Sequence, residues 1–171
     1  MNRIKFATFN IGGGVPCLEK QECQGNRFDA VEYMTKLIRD NGLDIVCFQE
    51  MLTEYEHFPS MGREIGEKSG LDYYSEWTLS ESHVVVGRKM GTAIASRFPI
   101  TGSRIFRLEN PDITYQLPSG EIYRSHEKGF LIVGLQTDMG EICCVTGQCI
   151  PFHSFGRKAA EFRHIYSALE K

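Results

Sequence analysis

Apolar and polar residues recur with a changing period along the chain, and this pattern predicts the elements of an α/β fold. Residues 4–10 are rich in aromatic and β-branched side chains and stop at a glycine triplet, which predicts a strand. Apolar residues then follow helical spacing over residues 28–41, with Gly42 at the end of the predicted helix. A short apolar run at residues 44–50 predicts a second strand. The order strand, helix, strand predicts a parallel strand pair joined by a helical crossover.

The pattern after this unit is mainly that of β-strands. Residues 60–69 are expected to form a second helix that ends at Gly70, and residues 155–169 a third. A tight turn at residues 138–140 predicts a hairpin. The other predicted strands are residues 92–96, 104–108, 129–138 and 141–148. Without a linker or an internal repeat, these elements predict one α/β domain over residues 1–171.

Composition and charge narrow the class of protein. The chain is 42% hydrophobic and 24% charged, values typical of a globular domain. Its formal charge of -3 argues against a protein that mainly coats nucleic acid, since such proteins cluster Lys and Arg against phosphates. No targeting signal is visible, and no apolar run approaches the roughly 18 residues of a membrane span. The six cysteines contain no C-x-x-C pair, which argues against a zinc site. Cys17 and Cys23 share a predicted loop and could pair, but a reducing, cytoplasmic location is the simpler expectation.

Glu50 and Asn10 are candidates for chemistry because each ends a predicted strand. A carboxylate at the carboxyl end of a strand reaches the crevice where open α/β sheets bind ligands. Magnesium commonly takes one or two carboxylates and leaves its other positions to water and phosphate, so Glu50 suits it. The Asn10 amide can orient a phosphate oxygen or a catalytic carboxylate. The alternative interpretations are that Glu50 only starts a surface loop and that Asn10 belongs to a strand-exit turn.

Four segments, taken in order, resemble the endonuclease/exonuclease/phosphatase superfamily, whose members include deoxyribonuclease I-like nucleases. The first two are residues 6–10 (Phe-Ala-Thr-Phe-Asn) with the following glycines, and residues 44–50 (Asp-Ile-Val-Cys-Phe-Gln-Glu). The third is residues 91–100, where a strand ends in Ser-Arg-Phe-Pro. The fourth is the hairpin of residues 130–148, which ends in Val-Thr-Gly-Gln. The resemblance therefore runs through nearly the whole chain, as the N-terminal half of such a domain.

The resemblance implies both a fold and an activity. The fold is half of a four-layer αββα sandwich, with one mixed β-sheet and flanking helices. The activity is magnesium-dependent hydrolysis of phosphate esters, with manganese able to replace magnesium. The family's metal-binding glutamate matches Glu50, and the asparagine that supports the phosphate and the site network matches Asn10. Water would attack the phosphorus in line while the metal stabilises the developing charge.

The chain departs from the family pattern in two places. Where the family usually has a histidine, this chain has Gln148, whose amide donates a hydrogen bond but cannot act as a general acid. His153 and His126 are the alternatives for that role. His153 is equally interpreted as a loop residue before a helix, and His126 as an exposed residue at a strand entry. The family's later Gly-Asp-x-Asn and Ser-Asp-His segments are not found after Gln148, so we expect the C-terminal part of the domain to be missing.

Three hypotheses about function follow. The first is a phosphoesterase whose site is completed by a homodimer or by a missing C-terminal half. The second is a non-catalytic half-domain that binds a phosphorylated ligand or a partner chain, which predicts an exposed apolar sheet face. The third is an incidental fragment without activity of its own. The substrate stays open among small phosphoesters, lipid headgroups and nucleic acid, although the acidic charge balance favours a small phosphoester over duplex DNA.

Overall fold

The computed structural model of the protein describes residues 3–14, 27–53, 60–82, 84–110, 113–116, 120 and 122–149. Two α-helices lie in these residues, α1 (Arg27–Asn41) and α2 (Met61–Ser69). The strands are β1 (Phe6–Asn10), β2 (Ile45–Thr53), β3 (Tyr73–Glu81), β4 (Lys89–Ser96), β5 (Ile100–Leu108), β6 (Thr114–Gln116), β7 (Ile122–Arg124), β8 (Lys128–Thr137) and β9 (Gly140–Gln148). No helix in this described part of the chain is long and apolar enough to span a membrane.

The strands form two main sheets and a short ribbon. One sheet has the order β1-β2-β4-β3, with β1 parallel to β2 and the other neighbours antiparallel. The second sheet is the antiparallel set β5-β8-β9, and β6 pairs only with β7. The predicted α/β class and the parallel β1–β2 pair with its helical crossover are confirmed. The expected single sheet is corrected to two, because β5 pairs with β8 instead of joining an edge strand of the first sheet.

The two faces of β2 explain the layering. Val46 and Phe48 face the helices, where they join a buried cluster with Ile38 of α1 and Ile65 of α2. Ile45 and its neighbour two residues on, Cys47, face the second sheet instead and pack in another buried cluster, which includes Leu131 and Val133 of β8. Strand side chains alternate between faces, so one apolar strand supplies both cores. The described residues thus form a helix layer, the four-stranded sheet and the three-stranded sheet, in that order.

The predicted ends of several elements agree with the structure, since Gly42 follows the end of α1 with a positive φ of 58. Ser60 caps α2, its hydroxyl accepting a hydrogen bond from the Arg63 backbone N–H at 3.4 Å, and Gly70 ends the helix in the left-handed conformation. The predicted hairpin is also confirmed, since Thr137 pairs with Gly140 across the turn. The strands β3, β6 and β7 were not predicted. The predicted helix at residues 155–169 lies outside the described residues.

Candidate active site

The carboxyl ends of β1 and β2 lie side by side because the two strands are parallel. Asn10 is the register partner of Gln49, so Glu50 is one residue beyond that pair. The Asn10 carboxamide oxygen accepts a hydrogen bond from the Gly12 backbone N–H at 3.1 Å. The Ile11 N–H donates to the Gln49 carbonyl at 3.0 Å, which ties the turn after β1 to β2. Asn10 therefore belongs to a strand-exit turn, as one of its interpretations held, and also lies beside Glu50.

Glu50 occupies an irregularity in β2. The antiparallel register with β4 shifts between Phe48 and Met51, which marks a β-bulge. Glu50 has φ 50, and it is the one non-glycine residue with positive φ among those described. The left-handed conformation costs a non-glycine residue roughly 1–2 kcal/mol. Phe48 and Met51 are fully buried on either side of the bulge, so core packing holds it. Bulges re-aim side chains and are common next to active sites.

A chain of three polar side chains runs from Glu50 into the second sheet. The Gln148 side-chain N–H donates to Glu50 Oε1 at 2.9 Å, and Lys128 Nζ donates to Gln148 Oε1 at 2.9 Å. Lys128 is only 8% exposed. This burial lowers the pKa of Lys128, while the Glu50 carboxylate and Cys149 act in the opposite direction. A carboxylate, an amide and a buried ammonium group are thereby joined across the two sheets.

A second hydrogen-bond network lies next to the first. The Gln49 side-chain N–H donates to Thr146 Oγ1 at 2.6 Å and to Thr8 Oγ1 at 3.0 Å. Thr92 Oγ1 lies 3.1 Å from Thr146 Oγ1 and 2.8 Å from the Phe48 carbonyl oxygen. These contacts join β1, β2 and β4 of one sheet to β9 of the other. Polar, hydrogen-bonded side chains therefore join the two sheets next to the apolar cluster that lies between them.

The predicted site residues are partly brought together. Glu50 and Gln148 are in direct contact, and Asn10 lies on the neighbouring strand end. His126 is half-buried on the segment that enters β8, two residues before Lys128, and His153 lies outside the described residues. Sequence reasoning missed Lys128. Its signal was position, because Lys128 begins β8 and lies beside Gln148 at the end of the paired strand β9.

The same reasoning also missed Gln49 and Thr146, which carry the second network. Both are polar residues within otherwise apolar strands, and such residues need hydrogen-bond partners when they are buried. Thr146 is only 4% exposed and Gln49 is half-buried. This signal in the sequence could have identified them.

The described residues offer an incomplete set of metal ligands. They contain no group of three or more His, Cys, Asp or Glu side chains placed to hold a metal ion. The four cysteines that the structure describes, Cys47, Cys143, Cys144 and Cys149, are free thiols. Glu50 is a half-buried carboxylate that accepts a hydrogen bond from the Gln148 amide. Because magnesium takes as few as one or two carboxylates and keeps several waters, this donor set fits magnesium rather than zinc.

Comparison with known proteins gives consistent results. The family model described as Endonuclease/Exonuclease/phosphatase family matches residues 7–154. A solved endonuclease/exonuclease/phosphatase from Beutenbergia cavernae is 18% identical with a TM-score of 0.59, covering 85% of this chain and 38% of its own. A humanized TDP2 of D. rerio is 10% identical with a TM-score of 0.54, and the alignment covers 98% of this chain and 55% of that one. For a family protein from Leptotrichia buccalis, the identity is 13%, the TM-score 0.52 and the coverages 86% and 55%.

These neighbours define the fold and its extent. The chain spans between 38% and 55% of the length of the three solved structures. The predicted fold class, half of the sandwich that these proteins share, is therefore confirmed. No curated protein matches the chain by sequence.

Proposed function

This chain belongs to the endonuclease/exonuclease/phosphatase family, and we propose that it acts in magnesium-dependent hydrolysis of phosphate esters, with Glu50 as the metal ligand. The observation that carries the proposal is the placement of Glu50. Glu50 lies in a strained bulge, and its carboxylate is within hydrogen-bond distance of the Gln148 amide on the second sheet. Strained backbone held in place by a packed core is typical of functional sites. A glutamate that only started a surface loop would need neither the strain nor the hydrogen bond.

The surrounding side chains suggest how a phosphate ester would be held. Glu50 would hold magnesium, or manganese in its place, and the bound ion would supply positive charge for the phosphate in the transition state. Gln148 already uses one N–H to fix Glu50, and the exposed Asn10 lies next to them on β1. Lys128 adds a buried positive charge behind the site, which favours an anionic ligand. An amide cannot supply a proton to the leaving group, so His126 and His153 stay candidates for that step.

Gln148 also favours a second function, which is binding of a phosphorylated ligand or a partner chain without hydrolysis. It stands where the family resemblance leads us to expect a histidine, and its amide is engaged with Glu50 rather than placed to transfer a proton. Under this alternative the site would keep its affinity for magnesium and phosphate but lack turnover.

One experiment separates these functions. Magnesium binding by titration calorimetry and hydrolysis of phosphomonoesters, phosphodiesters and plasmid DNA would be measured for the 171-residue chain and for Glu50→Gln. The control is Glu67→Gln, an exposed glutamate of α2 that pairs with Arg63. We expect magnesium-dependent turnover that Glu50→Gln abolishes and Glu67→Gln leaves unchanged. Binding that depends on Glu50 without turnover would support the second function. Equal magnesium affinity in both variants would refute the assignment of Glu50.

A further inference from the structure

We propose that Lys128 is a positioning residue, which fixes the Gln148 amide so that its N–H points at Glu50. This inference deepens the proposed function and rests on Glu50 as the metal ligand. Lys128 does not touch the carboxylate through any described hydrogen bond and acts through Gln148. In this role Lys128 stabilises one of the two orientations that the Gln148 amide group can adopt.

The chemistry of the two partners determines the orientation of the amide. An ammonium group has three donors and no acceptor, so the Lys128 Nζ requires the oxygen of Gln148. A carboxylate has only acceptors, so Glu50 requires the nitrogen of Gln148. Both contacts are 2.9 Å long and satisfy these requirements together. The reversed amide would place its nitrogen against the ammonium group and its oxygen against the carboxylate, and would lose both hydrogen bonds.

The backbone brings Lys128 and Gln148 together through two close-packed glycines. Gly129 is the register partner of Gln148, so Lys128 lies one residue from that pair. A Cβ atom at Gly129 would lie 2.2 Å from the Phe106 carbonyl oxygen. A Cβ atom at Gly147 would lie 2.1 Å from the Gly129 carbonyl oxygen. The glycines thus allow β5, β8 and β9 to approach closely where the lysine and the glutamine meet.

Lys128 has two opposite effects on magnesium affinity at Glu50, so the direction in which the affinity changes tests the proposal. Its positive charge repels magnesium, so removing the charge alone would raise magnesium affinity. Its hydrogen bond to Gln148 helps to orient the Glu50 carboxylate. Loss of a hydrogen-bond partner that orients a metal ligand typically weakens metal affinity by about 10-fold or more. If Lys128 acts through Gln148, the loss will appear only while Gln148 is present.

The experiment measures magnesium affinity by titration calorimetry in the background of the full 171-residue chain. The variants are Lys128→Met, Gln148→Leu, the double variant and Lys128→Arg, which keeps the charge and the donors. Lys36→Met serves as the control, because Lys36 is an exposed cation on α1. A second readout is the side-chain amide signal of Gln148 in two-dimensional NMR. Trp77, the single tryptophan, reports by fluorescence that each variant is folded.

We expect Lys128→Met to weaken magnesium binding by about 10-fold and to shift the Gln148 amide signal toward its free position. In the Gln148→Leu background the same substitution should leave affinity unchanged or raise it, and Lys128→Arg should stay within about threefold of the parent. Tighter binding after Lys128→Met in both backgrounds would overturn the proposal and show a charge effect only. If the parent chain binds no magnesium, the proposed function fails. The Gln148 amide signal then decides the positioning role, and an unchanged signal in Lys128→Met overturns it.

Discussion

Replacing Glu50 by glycine should yield a more stable protein than replacing it by alanine. Both variants remove the carboxylate and its hydrogen bond to Gln148, so the comparison isolates the backbone. Alanine retains a Cβ atom and pays for the positive φ of 50 at this position, whereas glycine adopts it freely. Elsewhere in a strand the order is reversed, because glycine loses more conformational entropy when the chain folds.

The expected difference follows from these two opposing terms. The left-handed conformation costs a residue with a Cβ atom roughly 1–2 kcal/mol. Glycine loses roughly 0.5–1 kcal/mol relative to alanine through entropy. Taken at the middle of each range, the net advantage of Glu50→Gly over Glu50→Ala is therefore about 0.75 kcal/mol in the free energy of unfolding. For a chain of 171 residues this corresponds to about 1–4 °C in Tm, measured by thermal unfolding monitored through Trp77 fluorescence.

A matched control lies in β9. Glu141 is an exposed residue in an extended strand, and its side chain hydrogen-bonds Thr101. At this position we expect Glu141→Gly to be less stable than Glu141→Ala by roughly 0.5–1 kcal/mol. The reasoning predicts opposite signs at the two positions. If Glu50→Gly and Glu50→Ala unfolded at the same temperature, or if alanine were the more stable, the strained bulge would be refuted.

Three further predictions concern the packed parts of the fold. Gly129→Ala should destabilise the protein by about 2 kcal/mol or more, because the added Cβ atom would lie 2.8 Å from the Trp77 ring. Gly102→Ala should be nearly neutral, because a Cβ atom there meets open space, and urea unfolding measures both variants. Burial raises the pKa of Cys47 to about 12, so its neutral thiol should contribute stability below about pH 9 that is lost as the pH rises toward 12. Cys47→Ala should accordingly show a shallower fall of stability over that range. Iodoacetamide at pH 8 should alkylate the exposed Cys143 of the native protein well before Cys47, as mass spectrometry of peptides would show.

Hydrophobic periodicity predicted the elements that position half of the site. The alternation in β2 and the helical spacing in α1 identified the parallel pair, and the strand end identified Glu50. The β8–β9 turn also fixes the pairing at the far end of the hairpin. Counting outward from that turn pairs residue 129 with residue 148, which places Lys128 beside Gln148. The contact between Lys128 and Gln148 could therefore be predicted from the sequence, although hydrophobic periodicity alone did not identify it.

Other features depend on tertiary structure and were not predictable in this way. The bulge at Glu50 exists because Phe48 and Met51 are both buried, and no local propensity favours a left-handed glutamate. The division of the strands into two sheets depends on long-range pairing, because β5 pairs with β8 and not with the edge strands β1 or β3 of the first sheet. The contact between Gln49 and Thr146 depends on the packing of one sheet on the other, because these residues are 97 positions apart.

The large sequence separation within the site has a consequence during protein synthesis. Glu50 and Gln148 are 98 residues apart, and a ribosome adding roughly 5–20 residues per second needs about 5–20 s to bridge that interval. During this time the first sheet can form, but Ile45, Cys47 and Ile94 have no second sheet to cover them. The nascent chain therefore carries an open apolar surface for several seconds. Chaperones that bind extended apolar segments would be expected to engage it before the two sheets close.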